Sequence, residues 1–377
     1  TTADNNTAVG FRAMDKNTTG TSNVGIGMDS LRTSTTGCEN VAVGCGAMCS
    51  TTTGNRSVAV GNNALFANTT GVNNTAVGWC ALETNTEGVG NVGIGYEALE
   101  ANTTAGNGTA VGYRALCSNT TGADNVSVGA CNMRLNTTGH SNTAVGTCAL
   151  YTNTEGDTNT AVGHHALKLN TTAADNTGVG RNALCTTTTG CVNTALGSSA
   201  MQVNSTGDSN VAIGGSTLFN NTTADNNVAV GANAMVANTT GGNNVAMGYQ
   251  SLLAQTTGDS NIAVGERAGC GLTTGNGNII IGQGASQAAM TGACNVVLGY
   301  QGLLDATSAS CNIAIGYRAM FEHVDAAMNV AIGTCALGNN TSIGNQTAVG
   351  TCALRANTSG HSNTAFGYFA ACANTTG

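Results

Sequence analysis

The sequence predicts an all-β protein, a parallel β-solenoid (β-roll or β-helix) of 22 coils of 17 residues. Three observations carry this reading: a 17-residue period without insertions, a Gly at the same place in every copy, and β-branched residues just before that Gly. With position 1 set at Asn6, copies begin at Asn6, Asn23, Asn40, Ser57 and so on to Asn363. The consensus is N-[TV]-A-[VI]-G-x-x-A-[LM]-x-x-N-T-T-G-x-x, with position 5 Gly in all 22 copies and position 9 Leu or Met in 19. Composition is even from residue 1 to 377, so the expectation is a single continuous repeat domain.

Each copy carries two glycines and an Asn-Thr-Thr run, which leaves no room for a useful helix and its return. The Asn-Thr-Ala-Val stretch, positions 1 to 4, is the best strand, because Val and Ile recur there and alternate with small residues. Gly at position 5 turns the chain, through positive φ or through close approach of the next coil's backbone. Asn at position 1 suits a ladder of amides hydrogen-bonded from coil to coil. Rungs about 4.8 Å apart would make 22 coils a rod roughly 105 Å long.

Positions 2 and 4 share one face of the strand and position 3 the other, which allows two packings. In one, Val and Ile join Leu at position 9 inside the roll. In the other, the Ala row lines a narrow interior and the Val and Ile row faces a partner chain. The need of Leu or Met at position 9 for an interior favours the first; the second would make the protein an obligate oligomer.

The blocks Asn142 to Leu150 and Asn159 to Leu167, both Asn-Thr-Ala-Val-Gly-x-x-Ala-Leu, resemble the head repeats of trimeric autotransporter adhesins (the YadA-like head) and related tail-fibre-like repeat proteins. The resemblance implies a β-roll, often a homotrimer, exposed outside the cell or on a virion surface, with adhesive or fibre-forming roles. The 17-residue period departs from that family's shorter repeat.

Variable positions hold most of the chemistry. Phe11, Trp79, Tyr96, Tyr113, Tyr249, Tyr300, Tyr317 and Tyr368 all fall at position 6, a line of aromatics that would stack on carbohydrate or simply cover a corner. Fifteen cysteines are an odd number, so at least one lacks a partner within the chain. Cys131 with Cys148, Cys294 with Cys311, and Cys335 with Cys352 stand one coil apart on the same row, at a Cα spacing that admits inter-coil disulfides. Asn17, Asn68, Asn102, Asn119, Asn136 and Asn238 open glycosylation sequons at position 12. Between Asn261 and Met328 the Asn-Thr-Thr element degrades at Leu272, Ala289, Met290, Ala306, His323 and Val324, which suggests a changed lateral face.

A net charge of -8 without clustered Lys or Arg speaks against a nucleic-acid partner, and no run is long enough to span a membrane. No zinc spacing, paired carboxylates, Ser/His/Asp arrangement or phosphate loop appears, so no cofactor and no catalysis are expected. The chain opens at Thr1 in mid-pattern, as a mature or trimmed form would, and stops at Gly377 with no capping sequence. Open ends of this kind predict head-to-tail stacking, and a window cut from a longer repeat protein reads the same way. The sequence therefore points to a structural subunit of an extracellular filament or surface fibre, with a glycan-binding or host-surface adhesin shaft as the alternative.

Overall fold

The computed structural model describes residues 3–341 and 344–376; the end positions Thr1 and Gly377, on which the open-end reading rests, lie outside the described residues. The protein is an all-β solenoid, with 22 three-residue strands and no helix among the described residues. It divides into two compact units, Thr1–Thr189 and Gly190–Gly377. The first carries β1 (Thr7–Val9) to β11 (Thr177–Val179), and the second carries β12 (Thr194–Leu196) to β22 (Thr364–Phe366). Within each unit successive strands pair parallel and in register at an offset of one repeat, as in Val41↔Val58 and Val211↔Val228.

The packing favoured from sequence is reversed. Ala42, Ala59 and Ala76 at position 3 are fully buried, whereas Val60, Val77 and Ile94 at position 4 are 38%, 36% and 39% exposed. The reason is thickness. A Cβ placed on Gly93, at position 3, would lie 3.2 Å from the Leu82 side chain at position 9 of the preceding coil. One Leu therefore fills the space between the walls, and only a methyl group fits opposite it.

After the strand the chain turns twice in tight succession. In the coil of β4 (Val58–Val60), Ala64 N–H bonds to Gly61 O (3.5 Å) and Phe66 N–H to Asn63 O (3.2 Å). Asn63 and Leu65 sit at the third place of these turns with φ of 55° and 53°. That is the type II pattern, which asks for positive φ there. For a leucine it costs about 1–2 kcal/mol, and complete burial of the same side chain, worth about 2 kcal/mol, offsets it.

Two asparagine ladders close each coil. At position 1, Asn159 N–H bonds to Asn142 Oδ1 (2.9 Å), while Asn142 Nδ2 donates to Gly156 O (2.8 Å). At position 12, Asn153 Nδ2 donates to Asn136 Oδ1 (2.7 Å) and also to Gly156 O (2.9 Å). The position-15 carbonyl thus takes an amide from each ladder, using both lone pairs. The threonine at position 13 completes the corner: Thr69 Oγ1 donates to Thr86 O (3.0 Å).

Where the second ladder is interrupted, buried acceptors are stranded. Gln255 reaches Gly258 O with Nε2, but its own Oε1 and the Oδ1 of Asn238 before it have no hydrogen-bond partner. Gln255→Asn should let the amide reach Asn238 Oδ1 as its neighbours do. A gain of about 1 kcal/mol is expected, measurable as a higher denaturation midpoint at unchanged slope.

Candidate functional site

The sequence-predicted sites sort by which way each repeat position points. The sequons point in. Asn68, Asn102, Asn119, Asn136 and Asn238 are buried, and Asn17, half-buried, donates Nδ2 to Gly20 O (3.0 Å). The nitrogen a glycan would need is committed to the ladder, as in Asn119 Nδ2 to Asn102 Oδ1 (3.1 Å), so the folded coil has no room for a sugar there. The degraded stretch is likewise interior: Leu272, Ala306 and His323 are fully buried in place of the position-12 amide, and in the coil between them Met290 at position 13 is buried while Ala289 at position 12 is left outside, as is Val324. His323 takes over one of the amide's partners, its Nε2 lying 2.8 Å from Ala326 O, and adds another, its Nδ1 lying 3.1 Å from Asn340 O of the next coil. Burial pushes its pKa below the ordinary value. The expected change of lateral face is therefore a change of filling.

The aromatics point out, but their faces do not. Trp79 stacks on Tyr96 with centroids 4.9 Å apart and Tyr96 on Tyr113 at 5.4 Å, with interplanar angles of 12° and 16°. Tyr300 and Tyr317 repeat this at 5.5 Å. The spacing is the coil rise, so each ring covers the next and the row offers edges to solvent. Arg114 covers the Tyr113 ring at 5.5 Å and Arg318 the Tyr317 ring at 5.4 Å. A sugar needs an open ring face, which stacking removes inside each ladder. Phe11 and Tyr249 stand exposed outside these stacks, and Tyr368 packs edge-on against Phe369.

Charge gathers beside the first ladder. Glu97, nearly buried, accepts from Arg114 Nε (2.5 Å). Burial pushes its carboxyl up, but the hydrogen bonds from Arg114 and Tyr96 outweigh this and hold it below its usual value. Among the described residues one trio of metal-type ligands converges here, Glu97, Glu100 and Cys117. Its chemistry is already spent: Glu97 serves Arg114, and the Cys117 thiol donates to Glu100 Oε2 (3.3 Å). Burial and that hydrogen bond push the Cys117 pKa up to about 11.

No disulfide joins the cysteines among the described residues. Cys131 and Cys148, Cys294 and Cys311, and Cys335 and Cys352 occupy successive coils on one row each without being joined. No protein-family model and no curated protein matches the chain. Among the described residues no helix is long and apolar enough to cross a membrane.

The surface formed by positions 2 and 4 is the one that belongs to the packing sequence reasoning placed second. Each strand presents a Thr, Val or Ile and then a Val, Ile, Leu, Met or Phe on the outer face, as in Val126 and Val128. With strands about 4.8 Å apart, eleven of them make a strip roughly 50 Å long and 10 Å wide in each unit.

Proposed function

We propose that the chain is a structural subunit of an extracellular filament or surface fibre, and that copies associate side by side through the outer face of the strands. The single observation behind this is the regular apolar strip at position 4, exposed at Val60, Val77, Ile94, Val128 and Val145 in the first unit and at Leu196, Ile213, Met247, Ile281 and Ile332 in the second, with half-buried Val, Ile and Leu between them. A strip of roughly 500 Å² per unit is at the upper end of what a soluble monomer exposes. A partner with the same coil rise would present the same row of Val and Ile, so self-association is the natural match. The filled, laddered interior supports a load-bearing role, and the edge-on aromatics make carbohydrate recognition the weaker reading.

Val77→Glu, Val145→Glu and Val230→Glu together place charge on the strip without touching the interior. The expected result, by light scattering after size exclusion, is conversion of the parent oligomer to monomer with the circular dichroism unchanged. A parent that already runs as a monomer at micromolar concentration would overturn the reading.

A further inference from the structure

The stacked cysteines have a geometry that suits neither a disulfide nor isolation. Cys131 and Cys148 occupy position 7 of successive coils with φ of 57° and 55°, and Cys335 and Cys352 do so with 53° and 55°. Their backbones are fixed alike: Cys148 N–H donates to Ala130 O (3.0 Å) and Cys131 N–H to Tyr113 O (2.8 Å). Cys352 and Cys335 bond to Thr334 O and Tyr317 O at 2.8 and 2.9 Å. Equal backbone angles make the two Cα–Cβ bonds parallel, so the Cβ atoms are separated by the coil rise, about 4.8 Å. A disulfide asks for a Cβ separation of about 3.5–4.5 Å. The Cα spacing alone, which admits the bond, is therefore too generous a test.

Two metal–sulfur bonds of about 2.3 Å, the length a thiolate makes to zinc, placed in line span about 4.6 Å, close to the sulfur spacing these rows give when both side chains take the same rotamer. We propose that the stacked thiol pairs Cys131–Cys148 and Cys335–Cys352 are binding sites for a soft monovalent cation, Cu(I), held linearly between two thiolates. Thiolates select such ions over hard ones. In the binding step two S–H bonds break, two Cu–S bonds form and two protons leave to solvent; copper stays Cu(I) and nothing is oxidised. The product carries one negative charge, and cations flank both pairs. Arg134 and Lys168 act electrostatically on Cys148, and Arg318 and Arg355, with the single carboxylate Glu322, line a shallow groove with Cys335. Cys131, Cys148 and Cys335 are half-buried and reachable, while Cys352 is 7% exposed.

The test is anaerobic Cu(I) titration of the full chain against a competing Cu(I) chelator, with X-ray absorption on the loaded protein. Cys148→Ser and Cys352→Ser are each expected to remove one tightly held copper, and absorption should give two sulfur neighbours per copper. Cys185→Ser, whose row neighbours are Lys168 and Gln202, is expected to remove none. Equal loss from all three variants, or no loss from Cys148→Ser, would overturn the proposal. So would loss of two titratable thiols from the folded, metal-free chain in air, if peptide mapping places a disulfide at Cys131–Cys148.

Discussion

Replacing Gly78 by Ala is expected to unfold the coil it closes, at a cost above about 4 kcal/mol. Gly78 has φ of 139°, and an added Cβ would lie 2.3 Å from Gly95 O and 2.7 Å from Gly95 C in the next coil. Both atoms are backbone, so no rotamer change relieves the contact. The coils would have to part at the point where Gly78 N–H bonds to Val60 O (2.8 Å) on one side and Gly95 N–H to Val77 O (2.8 Å) on the other. The control is Gly215→Ala, at position 6, where the nearest atom would be Ser198 O at 4.0 Å. It should shift stability by less than about 0.5 kcal/mol. Thermal unfolding of the two variants side by side decides the matter, and similar midpoints would show that the close approach of coils does not limit position 5.

The second large effect concerns a pair of residues that have exchanged bulk. Ile280 stands at position 3, where the consensus has Ala, and Gly269 at position 9 of the preceding coil, where it has Leu or Met. A Cβ on Gly269 would lie 3.1 Å from Ile280 Cδ1, so the isoleucine occupies the space the leucine would fill. Ile280→Ala alone leaves a cavity and should cost about 3 kcal/mol. Gly269→Leu alone overfills the same space and should cost about 2 kcal/mol. The double variant restores the consensus and should lie within about 1 kcal/mol of the parent. Additive losses in the double variant would mean that the two residues do not share one space.

The same pair shows how much was legible beforehand. The period, the strand and the turn at Gly follow from residues that do not vary, and the position-1 amide ladder was readable from Asn alone. Which face of the strand is inside was not, because alternation places positions 2 and 4 together without saying where. Yet Ile280 with Gly269, and Val297 with Ser286, carry that answer: position 3 grows only where position 9 of the preceding coil shrinks. Gly302 adds to it, since a Cβ there would lie 2.9 Å from Val297 Cγ1. Asn at position 12 was misread because Asn-Thr-Thr is both a sequon and a corner. The replacement of that Asn by Leu272 and Ala306 marks an interior row. The stacking of the aromatic rings did have a signal, since Trp79, Tyr96 and Tyr113 fall on one position of successive coils and the coil rise is close to a ring-stacking distance.

In-register pairing at an offset of 17 also bears on how the chain reaches this state. Every strand meets a partner one repeat away, as Thr143↔Thr160 does. In a unit of 189 residues a sequence separation of 17 corresponds to a relative contact order of at most about 0.09, the range of helical bundles and well below that of β-sandwiches. Closing each new coil ties up a loop of the same small size however long the protein has grown, so the entropic barrier does not rise with length. Wherever position 1 is Asn, the finished coil leaves its Oδ1 aimed at the backbone N–H of the next, as Asn142 does toward Asn159. The template for a coil is therefore complete before the residues that dock on it leave the ribosome, so each new coil can add to the last while synthesis proceeds.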